Sequence, residues 1–204
     1  MLNNENLFIQ TKNEIEKLWS DNKQLSKFVS WPKNLVLKEK TINKINVTKE
    51  LSFWKSKGNN HINKIHDLIS ELAPHVNWDN GYNELQVGKK FIDKYGFFEL
   101  IGPTGHFETS DMALYVNFLD KNSYYPWHNH EAEELYFIVA GEAKFESENE
   151  ISKILKPTDT RFHKKFQAHS ITTYENKILS FVIWKNKFEN VSKIVDLKNS
   201  NNVK

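Results

Sequence analysis

The sequence predicts a mainly β sandwich or barrel preceded by an α-helical N-terminal extension. Residues 5–30 and 62–72 carry apolar side chains at spacings near three and four, the period of an amphipathic helix. From about residue 81 onward, glycines and prolines recur at intervals, and short runs rich in β-branched and aromatic residues lie between them. Many short strands separated by turn residues are typical of a sandwich or barrel.

Length and composition limit the classes of protein that this chain can belong to. Its 204 residues suffice for one domain with an appended element. We expect a helical extension at residues 1–80 packed on a barrel at residues 81–190, and a polar tail at residues 191–204. The net charge is only +2, without a basic block, so nucleic acid is not an expected partner.

The absence of cysteine excludes disulfides, thiolate zinc sites, iron–sulfur clusters and cysteine nucleophiles. Any metal must therefore be held by histidine and carboxylate. The N-terminus has no basic region followed by an apolar run, and no apolar run approaches the ~20 residues that cross a bilayer. A soluble cytoplasmic protein without a membrane partner is expected.

Two helical stretches are predicted in the N-terminal extension. The first, at residues 5–30, ends at Trp31-Pro32, because the residue before a proline is pushed out of the helical region. The second follows the breaker at residues 57–60 and ends at Pro74. Residues 33–56 between them are ambiguous, and we expect short helices outside the main fold. Surface or capping roles are expected for the histidines of this region, which share no ligand spacing: His61, His66 and His75.

The barrel region contains eight predicted strands, each bounded by turn residues, and residues 190–204 are expected to fray. The predicted strands cover residues 95–101, 112–119, 136–140, 143–146, 151–155, 160–166, 170–174 and 178–184.

One stretch concentrates the groups that bind metals and transfer protons: residues 128–141, HNHEAEELYFIVAG. Side chains alternate between the two faces of a strand. A strand through this stretch places its even-numbered polar residues on one face and its odd-numbered apolar residues on the other. The polar set is His128, His130, Glu134 and Tyr136, and the apolar set is Leu135, Phe137 and Val139.

Two imidazoles and a carboxylate on one face suit a divalent first-row metal, and three protein ligands with open positions are typical of a catalytic metal site. A further ligand must come from another strand. His163, His169 and His106 are the candidates, and the residues themselves leave the choice open. A solvated, charged loop is the ordinary alternative for HNHE, but burying Glu134 in an apolar strand without a partner is costly.

The spacing of this stretch resembles the first motif of the cupins. His128-x-His130-x3-Glu134-x6-Gly141 matches every interval of that motif. A second cupin motif, around residues 157–173, retains its proline but has Asp159 in place of a glycine and lacks the closing asparagine. The resemblance implies a cupin fold, a jelly-roll or double-stranded β-helix barrel, in which a histidine of the second motif completes the metal site.

The surrounding residues resemble a narrower family, the cupin dimethylsulfoniopropionate (DMSP) lyases. The matching segments cover roughly residues 95–188, and the helical extension has the size seen in longer members. These segments are YPWHNH (125–130), AEELYF (132–137), TRFH (160–163), QAH (167–169), FVIW (181–184) and, upstream, ELIGP (99–103).

This resemblance implies a metal site and a base. The implied ligands are His130, Glu134 and His169, because the histidine of the Gln-x-His element is the family ligand. Tyr136 is implied as the base and, in some states, as a ligand. His128 matches a position near the metal. The cofactor is one divalent transition metal ion, Fe, Zn, Mn, Co or Ni.

DMSP cleavage is a β-elimination that yields dimethyl sulfide and acrylate. A metal that holds the substrate carboxylate can absorb the developing charge, and a bound cation favours the phenolate of a tyrosine whose ordinary pKa is about 10. The sulfonium suits an aromatic wall, and Tyr125, a catalytic candidate, also belongs to it. Core packing is an equal alternative for Trp127 and Trp184. The substrate-binding candidates are His128, Tyr125, Trp184, His163 and Trp127, with Tyr124 as a further aromatic candidate.

The expected function is therefore that of a carbon–sulfur lyase acting on DMSP, as a monomer or homodimer. The alternatives are another metal-dependent cupin enzyme, a dioxygenase or isomerase on a small organic acid, and a non-catalytic cupin that binds a small molecule. The fold alone does not separate them, because cupins host unrelated activities.

Overall fold

The computed structural model describes residues 4–188 and 190–196. Helices form where apolar stripes follow polar caps: the Asn22 side chain accepts the amide hydrogens of Gln24 and Leu25, and Asn60 caps in the same way. A 3₁₀ turn at Ala73–His75 follows the fourth helix. The helices are α1 (Glu5–Asp21), α2 (Lys23–Phe28), α3 (Asn46–Ser52), α4 (His61–Leu72), α5 (Glu84–Val87) and α6 (Lys89–Ile92).

Strands dominate the described chain after residue 94, and one further short strand, β1, lies among the helices. The strands are β1 (Val36–Leu37), β2 (Tyr95–Gly102), β3 (Phe107–Glu108), β4 (Ala113–Leu119), β5 (Ser123–Asn129), β6 (Glu133–Gly141), β7 (Ala143–Ser147), β8 (Lys153–Leu155), β9 (Thr160–His163), β10 (His169–Thr173), β11 (Ile178–Lys185) and β12 (Lys193–Ile194).

The strands form two sheets. The larger has the order β1-β3-β2-β4-β11-β6-β9, and the smaller has the order β12-β5-β10-β7-β8. Pairing is antiparallel except between β2 and β3. Short turns carry the chain from one sheet to the other, as between β4 and β5 and between β5 and β6, and residues distant in sequence meet in the space between the sheets.

The larger sheet is buried on both faces. Leu135, Phe137 and Val139 of β6 join a core with the helical layer, in which α1 and α4 supply Trp19 and Ile65. The opposite face of the same sheet packs against the smaller sheet and forms a second core with it. The larger sheet contributes Tyr136, Ile138 and Val182 to this core, and the smaller sheet contributes Phe145 and Ile171. This second core is the barrel interior.

The prediction of a mainly β fold with N-terminal helices is confirmed in its element types. Differences arise where short segments pair with distant ones. Val36–Leu37 pairs with β3, although short helices were expected in this region, and residues 46–52 do form one. Lys193–Ile194 pairs with β5 where fraying was expected. Residues 197–204 of the expected tail lie outside the described residues.

The helices among residues 4–188 and 190–196 are too short or too polar to cross a bilayer.

Candidate active site

Strand β6 aims its polar residues into the barrel. Its odd-numbered residues pack against the helices, so the alternation of the strand turns Glu134 and Tyr136 to the interior. Glu134 is 2% exposed and Tyr136 is 1% exposed. Burial at this level means that any polar atom without a partner costs free energy.

A bulge in β5 adds residues to this interior face. In the pairing with β10, Tyr125 lies opposite Ile171 and His128 lies opposite His169. Between these two pairs β5 therefore contains one residue more than β10. The extra residue lets Tyr125 and His128, of opposite parity, both reach the barrel interior. Trp127 lies within the bulge.

His130, Glu134 and His169 form a compact buried group. Their candidate ligand atoms all lie within 4.8 Å of one another. His130 Nε2 lies 3.2 Å from Glu134 Oε1, and His169 Nε2 lies 3.1 Å from Glu134 Oε2. The group joins the two sheets, because His169 comes from β10 and Glu134 from β6.

Backbone carbonyls orient the imidazoles. His130 Nδ1 lies 2.9 Å from the carbonyl oxygen of Ala132, and His169 Nδ1 lies 2.9 Å from that of Gln167. Only a protonated Nδ1 can donate to a carbonyl, so in the neutral ring of each histidine Nε2 carries the lone pair. Both lone pairs face the Glu134 carboxylate.

Three atoms of this group lack hydrogen-bond partners: His130 Nε2, His169 Nε2 and Glu134 Oε2. The other carboxylate oxygen of Glu134 accepts the indole N–H of Trp184 at 2.8 Å. Buried nitrogen and oxygen atoms without partners are rare, and convergent lone pairs of this kind fit a divalent first-row metal ion. The donor set therefore fits the metal that the sequence predicts.

His130 and Glu134 shift each other's pKa. Burial would lower the pKa of His130, but the Glu134 carboxylate outweighs burial and raises it. Burial opposes ionisation of Glu134, but His130 and His169 hold its pKa well below the ordinary value. A buried, ionised carboxylate between two imidazoles is the charge arrangement that a metal cation stabilises.

His128 lies beside this group without belonging to it. Its ring stacks on Tyr125 at 3.8 Å between centroids and 7° between planes. Its Nδ1 lies 2.8 Å from the carbonyl oxygen of Pro126. Burial and the neighbouring His169 hold the pKa of His128 well below its usual value, so the imidazole is neutral. A neutral ring fits a role in lining the cavity.

Tyr136 is the phenol nearest the group along β6. Its ring centroid lies 6.4 Å from that of His169. Burial, followed by the Glu134 carboxylate, raises the pKa of Tyr136 well above its ordinary value. The protein residues alone therefore hold this tyrosine as a neutral phenol, and only a nearby cation can favour its phenolate.

The other histidine candidates lie elsewhere. His163 is fully buried opposite Glu134 on β9, 3.9 Å from the His169 ring, but neither of its nitrogens belongs to the compact group or has a partner, and it does not line the cavity. His106 accepts the amide hydrogen of Asn77 and packs against Phe8, on the helical side of the larger sheet. His106 is a structural residue.

Trp127 requires a correction. It was a candidate for the substrate wall, but it does not line the cavity, because the bulge turns Tyr125 and His128 inward and leaves Trp127 between them. Its backbone carbonyl accepts the amide hydrogen of Val195 instead. Trp184 does line the cavity, where its ring lies 4.4 Å from that of His130.

A cavity of about 540 Å³ is lined by two members of this group, His130 and Glu134. Neither lysine nor arginine lines it among the described residues, whereas three carboxylates do: Asp79, Glu99 and Glu134. The sequence did not identify Tyr82, Glu99 and Asn117 as residues that line the cavity. Their positions depend on strand pairing. For Glu99 and Asn117 the sequence contains one signal, because both have odd numbers, like the residues of β2 and β4 that face the barrel interior.

Comparison with known proteins gives consistent matches. The profile of the DMSP lyase (dimethylsulfoniopropionate lyase) family matches residues 22–180. Dimethylsulfoniopropionate lyase DddQ of Ruegeria pomeroyi is 34% identical over 125 residues, which are 61% of this chain and 62% of that protein. The sequence match thus spans less than two thirds of this curated relative.

Two sets of solved structures resemble the chain over nearly their full lengths. A chain from the crystal structures of the DMSP lyases RdDddP and RnDddQII has a TM-score of 0.89 and 28% identity, covering 93% of this chain and 98% of that chain. The crystal structure of DddQ from Ruegeria pomeroyi has a TM-score of 0.86 and 27% identity, covering 94% and 97%. The predicted fold class, a mainly β cupin barrel with a helical N-terminal extension, is confirmed by this agreement.

Proposed function

The chain belongs to the DMSP lyase family, and from this premise we propose that it is a metal-dependent carbon–sulfur lyase. The proposed reaction is β-elimination of DMSP to dimethyl sulfide and acrylate. Family membership, the similarity to DddQ and the solved DMSP lyases support the substrate. The chemistry of the cavity supports the mechanism.

One observation carries the proposal: the lone pairs of His130, Glu134 and His169 converge beside a cavity that His130 and Glu134 line, and no lysine or arginine is among the described lining residues. A substrate carboxylate entering such a cavity meets Glu134 and finds no lysine or arginine among the described lining residues. DMSP therefore needs a metal cation to bind its carboxylate, and the three side chains are the group able to hold that cation.

We assign His130, Glu134 and His169 as ligands of one divalent ion, Fe, Zn, Mn, Co or Ni, with Tyr136 as an additional ligand in some states. When bound, such an ion supplies Lewis acidity at the substrate carboxylate and lowers the pKa of a neighbouring phenol. The carbonyls of Ala132 and Gln167 keep the two imidazoles in the ligating tautomer throughout.

Tyr136 is the proposed base. Its phenolate oxygen takes the proton from the carbon next to the substrate carboxylate. The electron pair of that C–H bond becomes the carbon–carbon double bond of acrylate, and the C–S bond breaks with its electrons leaving on dimethyl sulfide. Tyr136 is 1% exposed and packs in the interior core, which limits the access of bulk water to its phenolate oxygen.

Tyr125, His128 and Trp184 form the proposed wall around the reacting atoms. The Tyr125 hydroxyl lies 2.9 Å from that of Tyr82, which fixes its ring, and the ring stacks on neutral His128. An aromatic wall attracts a methylated sulfonium by about 0.5–2 kcal/mol per contact. We assign Tyr125 a catalytic role in orienting the substrate, and Trp184 and His128 a role in binding it.

The test is acrylate release from DMSP by the full chain reconstituted with each of the five metals. We expect turnover with at least one metal, and its loss on chelation. Tyr136→Phe is expected to lower kcat roughly 10²–10⁴-fold, the usual contribution of general-base catalysis, while the protein still binds one metal equivalent.

Tyr124→Phe is the matched control, because Tyr124 lies on β5 with 46% of its side chain exposed and outside the cavity lining. It should retain the activity of the unchanged protein. Full activity of Tyr136→Phe would refute the base, and no acrylate with any metal would refute the lyase. Oxygen consumption on a small organic acid would instead identify an oxygenase.

A further inference from the structure

We propose that Glu99, with the rings of Phe97 and Tyr115, forms a subsite for a methylated onium cation at the end of the cavity away from the metal ligands. The inference rests on the proposed lyase function, in which the cation is the sulfonium of the substrate. It adds an anionic partner for that charge, beyond the aromatic wall of Tyr125 and Trp184.

Strand pairing directs these residues into the barrel. Tyr95, Phe97 and Tyr115 pack with the interior core, so the odd-numbered residues of β2 face the cavity. Glu99 lies opposite Tyr115 in the ladder between β2 and β4, and Tyr115 in turn lies opposite Val182 of β11. Side chains directly opposite on one face touch, so the Glu99 carboxylate and the Tyr115 ring are neighbours.

Two donors from one residue hold the Glu99 carboxylate in place. Thr104 donates its backbone N–H to Oε1 at 3.2 Å and its hydroxyl to Oε2. A carboxylate has about four acceptor positions, so these bonds leave others free for a cation in the cavity. Burial raises the pKa of Glu99, while the Thr104 donors and Lys40 act in the opposite direction. Lys40 does not line the cavity.

A row of rings connects Glu99 to the metal ligands. Phe97 and Tyr115 lie 5.6 Å apart and nearly perpendicular, Tyr115 and Trp184 lie 5.3 Å apart, and the Trp184 ring lies 4.4 Å from His130. Burial and the carboxylates of Glu99 and Glu134 hold the pKa of Tyr115 above its ordinary value, which agrees with its position between them. Methylated cations bind to ring faces of this kind.

Glu99 is the carboxylate best placed for this role. Glu134 is committed to the metal group, and Asp79 is exposed and accepts the amide hydrogen of Gly81 at 2.8 Å. The two ends of the cavity thus differ in what they attract. The metal end suits the substrate's carboxylate, and the Glu99 end suits its sulfonium, which is separated from that carboxylate by a short methylene chain.

The probe is trimethylsulfonium, whose binding to the metal-loaded full chain is measured by calorimetry. Glu99→Gln is expected to weaken binding about tenfold, a modest value because the partly solvated cavity screens the charge. Glu99→Asp should restore part of the affinity. Glu108→Gln removes the same charge from β3 outside the cavity, where Glu108 pairs with Lys38, and should leave binding unchanged.

Acrylate, which carries the carboxylate without the sulfonium, should bind Glu99→Gln as well as it binds the unchanged protein. Equal affinity of Glu99→Gln and the unchanged protein for trimethylsulfonium would overturn the subsite. If the variants fail to fold, a crystal of the unchanged protein with trimethylselenonium decides. Anomalous selenium density beside Glu99 supports the subsite, and density elsewhere in the cavity overturns it.

These measurements do not depend on turnover. If the chain releases no acrylate but binds trimethylsulfonium through Glu99, the lyase fails and the cation subsite stands. If the chain is a lyase whose KM for DMSP is unchanged in Glu99→Gln, the subsite fails and the lyase stands. The expected result is a raised KM with kcat changed less than KM.

Discussion

The hydrogen bond between Trp184 and Glu134 determines which oxygen of the Glu134 carboxylate remains available to a metal ion. The indole N–H donates to Oε1 at 2.8 Å, and Oε2 has no hydrogen-bond partner. Trp184 thus serves two purposes, because its ring also stands beside His130 in the cavity. Groups that orient a ligating carboxylate tune the affinity for the metal as well as its geometry.

Trp184→Phe separates these purposes, since phenylalanine keeps an aromatic ring but cannot donate. We expect metal affinity to fall about 10- to 100-fold, the usual effect of removing a hydrogen bond to a ligand. Titration against a chromophoric chelator measures this. Trp127→Phe, outside the cavity, is the matched control and should bind metal normally. Unchanged affinity in Trp184→Phe would show that its hydrogen bond does not position Glu134.

At the scale of elements, strand β6 ends where the chain leaves the larger sheet, and Gly141 makes that exit possible. Its φ is +75°, which L side chains rarely adopt. A Cβ at this position would overlap the backbone carbonyl of Lys177, which precedes β11. Gly141 pairs with Ile178, so the close approach of the two strands depends on the missing side chain.

Gly141→Ala should therefore lower the free energy of unfolding by more than about 3 kcal/mol, the sum of backbone strain and overlap with a rigid carbonyl. Gly88→Ala is the comparison, because Gly88 has φ 80° and ψ 150° but open space where the methyl group of an alanine would lie. It should cost about 1–3 kcal/mol from strain alone. Urea unfolding measures both, and equal losses would contradict the role of the Lys177 carbonyl.

At the scale of the whole molecule, two buried histidines lie where the helical layer meets its surroundings. His66 of α4 packs against Trp54 at 4.5 Å between centroids, and His106 packs against Phe8 of α1 at 4.8 Å. His66 was expected at the surface, but it is 2% exposed. Burial lowers the pKa of each histidine to about 4. At His66, the Asp67 carboxylate opposes this shift, and Lys55 and Lys177 add to it. At His106, Lys40 adds to it.

This burial makes the fold sensitive to acid. Between pH about 6.5 and about 4 the unfolded chain binds more protons than the folded one, so stability falls as the pH falls through that window. His106→Gln keeps an acceptor near the position of Nε2 for the Asn77 amide but does not titrate. Relative to the unchanged protein, it should lose about 1–2 kcal/mol less stability between pH 7 and pH 4.5 in urea unfolding. An identical loss in both proteins would contradict the assignment.

Much of the fold was predictable because helix and strand periodicity is a local property of the backbone. The stripe at residues 62–72 and the apolar run at residues 178–184 needed no knowledge of the rest of the chain. The strand at Ser123–Asn129 was not predicted, because its bulge breaks the alternation. The short strands β1 and β12 have no pattern of their own and exist only through their pairing partners.

By itself the sequence determined which side of β6 carries Glu134 and Tyr136, because side chains alternate on any strand whatever its neighbours. Only the tertiary structure decided that His169 meets Glu134 while His163 stays outside the group, and that Glu99 faces the same cavity. The physical reason is register. Local geometry is set within a few residues, whereas contact across sheets depends on which distant strands pair and where their bulges fall.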